Sequence, residues 1–396
     1  MALTVQELFF YLSEVYGAEF CAGKEGVFRT VSWGYYIEDK SIIDDLKTGS
    51  CAVCSLVPLK DNEKAFLSFI NTLNAKEVSV IIILKSHSIA SFPSSISELC
   101  NNLNLALIML PNSINIASLM QGIADLIIKE KYDALELTHF FSKIIENSFP
   151  YTQPQILKPY KLLESKQYLI ILLSLPEKLK NEESLNFYLD YSFNPKINLN
   201  KDTSFYFIYK NYIVYIISNN FDSVPSKISL CAKEDKYFFK SAVSLGNIAS
   251  SFADFALEYR HAVFAMCFKD SPVREYKDLG IYKILSEVKD TSVLLDIYNS
   301  TLGKLSSLSK EKYTFYINTL SSYLEMTGSI NETASSSSVH RNTVSYRINK
   351  LSELLGMDLK NGHDRYLVQT ALYIKTLMEK APELFNDSLH EENKRG

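Results

Sequence analysis

The side chains best equipped for recognition chemistry lie together between residues 340 and 350: His340, Arg341, Asn342, Thr343, Ser345, Tyr346, Arg347, Asn349 and Lys350. On a helix that turns about 100° per residue, counted from Val344, they separate by direction. Val344, Ile348, Leu351 and Leu355 make a stripe spaced to pack inward. Asn342, Ser345, Tyr346 and Asn349 point the opposite way, Arg341 and Arg347 lie on the flanks, and Lys350 lies between the outward face and Arg347. Short hydrogen-bonding groups can meet base edges in a DNA groove while long flanking cations reach the phosphates. No acid occurs between His340 and Ser352, although the chain holds 45 Asp+Glu against 41 Lys+Arg.

Such a helix must be held at a fixed angle by what precedes it. Residues 334–338 read A-S-S-S-S. Ala334 is small enough for close helix packing, Val339 anchors a turn, and His340 stands where an N-cap residue belongs. A short helix, a tight turn and a longer helix make a helix-turn-helix.

The run V-H-R-N-T-V-S-Y-R-I-N-K-L, followed by L-L-G-M-D-L and residues 367–372, resembles the C-terminal helix-turn-helix of the purine-catabolism regulator (PucR/CdaR-like) family. His340, Arg341, Asn342, Thr343, Tyr346 and Arg347 all match that motif. The resemblance continues at L-T-V-Q-E-L (residues 3–8), Gly17-Ala18 and Val31-Ser32-Trp33, which are similar to that family's N-terminal sensory domain. Residues 253–268 with Asp278-Leu279-Gly280 resemble its central domain, related to nucleotide-cyclase folds. One departure is Ser337, where the family has a bulky apolar residue. It implies a looser first helix and a DNA affinity that depends on pairing.

Bulk properties agree with a local rather than a general nucleic-acid contact. A net charge of −4 and a pI near 6.0 argue against a protein that coats nucleic acid. With 396 residues, 47% hydrophobic and 22% charged, the chain reads as several globular domains. The longest apolar runs, residues 78–84 and 168–175, are too short to cross a bilayer, and the start carries Glu7 rather than a basic signal region. The expected location is cytoplasmic. Cys51 and Cys54 form a lone C-x-x-C that reads as strand thiols rather than a metal or redox site.

Organisation follows from periodicity. Residues 4–15 have helical apolar spacing with a Thr4/Glu7 capping box. Strands are expected at 27–32, 51–57, 78–84 and 105–110 and helices at 63–74 and 96–102, an α/β pattern with a buried sheet. Met120, Ile123, Ile127, Glu130, Ala134, Leu137, Phe141 and Ile144 repeat three and four apart on a long helix over 116–148. This seam suits either pairing between two subunits or docking on its own domain. Pro150, Pro154 and Pro159 mark a linker.

Further on, 167–175 reads as a strand, 204–209 and 212–217 as a hairpin about Lys210-Asn211, and 237–245 as another strand. Residues 252–268 and 278–288 read as helices, 176–203 as a flexible insertion, and 381–396 as a polar tail.

Catalysis finds little support. Cyclases of the GGDEF type hold metal ions with acidic residues on a hairpin, whereas the matching stretch here is Tyr209-Lys210-Asn211-Tyr212. No P-loop, H-E-x-x-H or G-x-S-x-G occurs. Trp33, beside Gly34-Tyr35-Tyr36, suits either a small-molecule pocket or core packing, and His261 reads as a satisfied residue rather than a ligand.

The resulting expectation is a multidomain chain. Residues 1–118 form an N-terminal α/β sensory domain and 119–150 a helical connector able to dimerise. Residues 160–290 form a central α+β domain of degenerate GGDEF-like type, and 305–380 a C-terminal all-α helix-turn-helix domain. Its expected function is sequence-specific binding of double-stranded promoter DNA as a homodimer. The resemblance implies a metabolite of purine or other nitrogen or carbon catabolism as effector, with no cofactor, metal, catalytic residue or membrane. The alternatives are a nucleotide-binding or residual nucleotide-cyclase enzyme using the central domain, and a protein–protein adaptor.

Overall fold

In the computed structural model, residues 2–55, 63–85, 92–111, 113–146, 167–176, 178–179, 181–268 and 271–385 are described. The expected linker prolines and residues 386–396 of the expected tail lie outside them. The chain divides into two compact units, residues 1–263 with 271–273 and residues 264–270 with 274–396.

The first unit begins with β1 (Leu3–Thr4), α1 (Val5–Tyr16), β2 (Glu19–Ala22), β3 (Thr30–Val31), β4 (Trp33–Ile37) and β5 (Ser50–Ser55). There follow α2 (Glu63–Ala75), β6 (Val80–Leu84), α3 (Ser94–Asn102), β7 (Ala106–Leu110) and α4 (Ile116–Ile145). The sheet order is β2-β7-β6-β5-β4, parallel except for the edge strand β2. Strands β6 and β7 are buried at every residue because helices cover both faces. Val53, Val80, Ile82 and Ile108 face α1 and α4, while Ala52, Ile81, Ile83 and Leu107 face α2 and α3.

The same alternation separates the two cysteines. Three residues apart on β5, Cys51 and Cys54 enter opposite cores and cannot share a metal or a disulfide. Burial pushes both thiols up, that of Cys54 to about 12.

Residues 27–32 are not the single expected strand. A 3-10 helix, Lys24–Phe28, precedes β3. Arg29 then pins the chain by donating to the Val78 and Leu103 carbonyls at 3.0 and 2.8 Å.

The long helix α4 shows where its seam goes. Leu119, Ile123 and Ile127 enter the core beneath the parallel sheet. Gly34 admits the helix closely, since a Cβ there would stand 3.0 Å from Met120 and 3.2 Å from Ile123. Farther along, the Phe141 ring stacks with Phe205, Phe207 and Phe255 at 5.7, 6.0 and 5.2 Å. Ile123, Ile127, Leu137, Phe141 and Ile144 of the seam are thus buried within the chain, as in the docking alternative read from sequence, while Glu130 and Ala134 between them are half-buried. At about 1.5 Å per residue, the 30 residues of α4 run roughly 45 Å and serve two cores.

The second core belongs to β8 (Tyr168–Ser174), α5 (Glu182–Tyr188), a π-helical turn at Leu189–Phe193, α6 (Asn194–Ile197) and β9 (Ser204–Tyr209). It continues with β10 (Tyr212–Ile217), α7 (Ser223–Glu234), β11 (Val243–Ala249) and α8 (Phe255–Met266). Strands β11-β8-β10-β9 pair antiparallel in that order. The β9–β10 hairpin pairs Tyr209 with Tyr212 across Lys210-Asn211.

Three expectations need correction here. Within the expected flexible insertion, residues 181–203 are built into the fold instead, because Leu185, Leu189, Phe193 and Ile197, each four apart, bury in the core. Residues 237–240 are a turn rather than a strand, since the buried Asp235 carboxylate accepts from the Tyr237 and Phe238 amides at 2.9 and 3.3 Å. Residues 278–288 are interrupted at Gly280, whose φ of 52° stops a continuous helix.

The two parts of this unit are joined by a charge cluster. Lys201 Nζ, four-fifths buried, lies 2.7 Å from Glu7 Oε2 and 3.1 Å from Glu130 Oε2. Glu7 also closes the capping box of α1 with Thr4. Burial acts to raise the Glu7 carboxyl, but the Lys201 charge and the hydrogen bonds outweigh it and hold the group below its ordinary value.

A carboxyl lowered in this way stabilises the fold above its unfolded pKa and loses that contribution as pH falls through its folded one. Lys201→Met should cost about 1 kcal/mol at neutral pH, the upper end for pairs this exposed. In denaturant titrations of the two proteins, the stabilities should begin to converge as pH falls below Glu7's ordinary 4.5 and meet below its lowered folded value. A gap that persists in acid would show that the cluster acts by packing alone.

Candidate nucleic-acid interface

The second unit contains α9 (Tyr282–Ser286), α10 (Ser292–Thr301), α11 (Lys310–Glu325), α12 (Ile330–Ser337), α13 (Arg341–Leu355) and α14 (Gly362–Lys380). Its core gathers Leu302, Leu320, Tyr323 and Leu324 around the inward stripe of α13, whose Val344, Ile348, Leu351 and Leu355 are all buried. Burying four such side chains sets the rotation of α13 about its axis.

Caps define both helices of the pair. Ser329 Oγ accepts from the Glu332 amide at 3.3 Å, opening α12. His340 Nδ1 accepts from the Asn342 amide at 3.2 Å, opening α13 in the N-cap role read from sequence. Gly356 ends α13 at a left-handed φ of 64°. Lys304 Nζ donates to the last-turn Leu355 carbonyl at 2.6 Å, a cation at the negative end of the helix.

Between the helices, Ser338 takes the left-handed conformation at φ 52°, and Val339 is half-buried in the shared core. The expected weak point was Ser337, but that side chain is exposed at the end of α12. Thr333 and Ala334 carry the helix packing instead, at 2% and 8% exposure. Strain in the turn falls one residue later, on a non-glycine residue in left-handed geometry.

Rotation about the buried stripe leaves His340, Arg341, Asn342, Thr343, Tyr346, Asn349 and Lys350 exposed and Ser345 and Arg347 half-buried. Tyr346, at 70% exposure, is the most prominent apolar body on this surface. The cations are less alike than their sequence positions suggest. Arg347 lays its guanidinium 4.6 Å from the centroid of the Phe315 ring on α11. Lys350 is paired with Glu353 at 2.9 Å, and that hydrogen bond is the main cause raising its pKa. Among the described residues, Arg341 forms no ion pair.

Phe315 and Glu353 were not singled out from sequence. An acid three residues beyond Lys350 is a legible helix pairing. The Phe315 contact is tertiary and leaves no such local trace.

Candidate sites elsewhere resolve differently. His261 Nδ1 lies 3.0 Å from Glu258 Oε2, which also accepts from the Asn247 amide at 2.6 Å, so the imidazole is held in a local network. Trp33 is not a core residue, being 45% exposed. Among the described residues, no cluster of three or more His, Cys, Asp or Glu could hold a metal ion. None of the described helices is long and apolar enough to cross a membrane.

Comparison with known proteins agrees with this geometry. Residues 316–374 match the PucR C-terminal helix-turn-helix domain, and residues 10–127 match the purine catabolism regulatory protein-like family. Three relatives come from Bacillus subtilis (strain 168). The chain is similar to the DNA-binding transcriptional activator AdeR, 24% identical over 133 residues, covering 32% of this chain and 32% of AdeR. It is similar to the purine catabolism regulatory protein, 36% identical over 151 residues, 35% of this chain and 27% of that relative. The proline-responsive transcriptional activator PutR is 28% identical over 106 residues, 27% of this chain and 25% of PutR. Each match thus spans a third or less of the relative's length.

Ser338→Gly removes a side chain from left-handed backbone, which outweighs the added freedom of the unfolded chain. It should raise stability by about 0.5–1 kcal/mol. Thermal unfolding followed by circular dichroism checks this, and a lowered midpoint would contradict the account of the turn.

Proposed function

This chain carries a domain of the PucR family over residues 10–127 and a PucR C-terminal helix-turn-helix domain over 316–374, and we propose that it is a sequence-specific, DNA-binding transcriptional regulator. The observation that carries the reading is the division of α13. Its apolar stripe is buried, and its opposite face is an exposed polar surface with no acid before Glu353. Asn342, Ser345, Tyr346 and Asn349 are proposed to meet base edges. His340, Arg341, Thr343, Arg347 and Lys350 then sit where phosphates flank the groove.

One such helix covers few base pairs, so useful specificity calls for a homodimer on repeated half-sites of double-stranded operator DNA. The regulatory part spans an N-terminal sensory domain (1–118), a connector (119–150) and a GGDEF-like scaffold (160–290). The DNA-binding domain follows at 305–380. The β9–β10 hairpin of the scaffold carries tyrosines, a lysine and an asparagine where a cyclase would need carboxylates, which supports binding or association rather than catalysis. Relatives named for purine catabolism and proline response support an effector from nitrogen-compound catabolism.

The test uses the full chain and operator DNA recovered by genome-wide mapping of bound sites. Arg341→Ala should weaken binding to all sequences and lower the salt slope by about 1. Asn342→Ala should cost about 1–3 kcal/mol and relax preference at one base pair. Glu353→Gln, which releases Lys350 and removes an acid near the phosphates, should tighten binding and steepen the salt dependence. Unchanged binding in all three variants would refute the assignment.

A further inference from the structure

A cavity of roughly 710 Å³ in the first unit is lined by β4, α4, α5, the π-helical turn and β9. Its size falls within the usual range for small-molecule sites, about 300–1,000 Å³. Trp33 and Phe187, exposed at 45% and 41%, stand in its wall beside Tyr191 and the buried Tyr206. The Phe187 and Tyr191 rings are 4.6 Å apart and tilted by 44°. Large aromatic side chains left this open to solvent are poorly accounted for by core packing.

Among these rings lies Asp190. It is half-buried, and the Tyr206 hydroxyl donates to one of its oxygens. Among the described residues no lysine or arginine pairs with it. Glu182 and Glu183 also line the cavity, so its ionisable wall is three carboxylates against the two lysines Lys47 and Lys131. A partly desolvated carboxylate without a cation is unfavourable unless a ligand supplies one, and aromatic faces favour that same charge.

The backbone adds an independent indication. Asp190 and Tyr191 sit in the π-helical turn Leu189–Phe193, a rare geometry concentrated at functional sites. That turn touches the sensory part directly. Thr30 Oγ1 donates to the Asp190 carbonyl at 2.7 Å, and Tyr191 packs on Gly49, where a Cβ would stand 2.6 Å from the ring.

We infer that this cavity binds a small organic ligand through a protonated amine, held by Asp190 and enclosed by the rings of Trp33, Phe187 and Tyr191. A ligand there bridges the sensory sheet and the central sheet and can set how the two pack. The inference rests on the regulator reading only for the consequence of binding. DNA binding measured on the same protein keeps the two separable.

Trp33 is the chain's single tryptophan, so emission of the full-length protein excited on the red edge, beyond the absorption of the 25 tyrosines, reports on this wall alone. The probes are benzylammonium and L-phenylalanine, which share the amine but differ in the carboxylate, and benzyl alcohol as a neutral isostere. Saturable change with benzylammonium would indicate a simple amine ligand. Change with phenylalanine alone would indicate an amino acid whose carboxylate meets a cavity lysine.

Asp190→Asn should bind the effective probe about ten- to a hundredfold more weakly. Phe187→Ala, at an exposed position that leaves folding intact, should weaken it about two- to fivefold. Equal binding of benzyl alcohol, unchanged affinity in a folded Asp190→Asn protein, or no saturable response to either amine would overturn the proposal. If Asp190→Asn does not fold, an unchanged affinity in Phe187→Ala overturns it.

Discussion

Burial of Val344, Ile348, Leu351 and Leu355 is the interaction on which the functional reading depends. A helix has one rotational freedom about its own axis, and four buried aliphatic side chains remove it. Everything on the other side of α13 is thereby aimed: polar groups outward, Arg341 at the start and Lys350 near the last turn. The caps at His340 and Gly356 fix where that surface begins and ends. Lesser interactions, the Arg347–Phe315 stack and the Lys350–Glu353 pair, occupy two of the three cations of α13, so on the proposed reading they would tune its affinity for DNA.

In the first unit, the organising constraint is that one helix belongs to two cores. Residues of α4 near its start close the parallel sheet, and Phe141 near its end closes the antiparallel one. Lys201, bound to Glu7 and Glu130, crosses the same division with charge. The π-helical turn crosses it again through Thr30 and Gly49. These contacts join the two sheets by charge, hydrogen bond and packing, while the division of α13 is maintained by its own local core.

Local chemistry was legible in the sequence and tertiary occupancy was not. The Thr4/Glu7 capping box, the inward stripe of α13 and the β9–β10 hairpin follow from spacing within a dozen residues, and each stands where its pattern placed it. The α4 seam was equally visible, but periodicity states only that a face is covered, and its partners Phe205, Phe207 and Phe255 lie more than sixty residues away. Residues 182–197 were obscured by composition, because asparagine and acidic residues on the outer face concealed the regular burial of Leu185, Leu189, Phe193 and Ile197. Trp33 and Asp190 lie far apart in sequence, so the cavity they share left no local pattern.

The central claim, that the outward face of α13 enters the groove, is tested most directly by photo-crosslinking. A photoreactive phenylalanine analogue is placed in the full chain at Tyr346 on α13 or at Tyr366 on α14, two positions of similar exposure, 70% and 74%. Bound to operator DNA, position 346 should crosslink to bases and position 366 should not. Base crosslinks from 366 without any from 346 would place the reading surface on another helix and contradict the account.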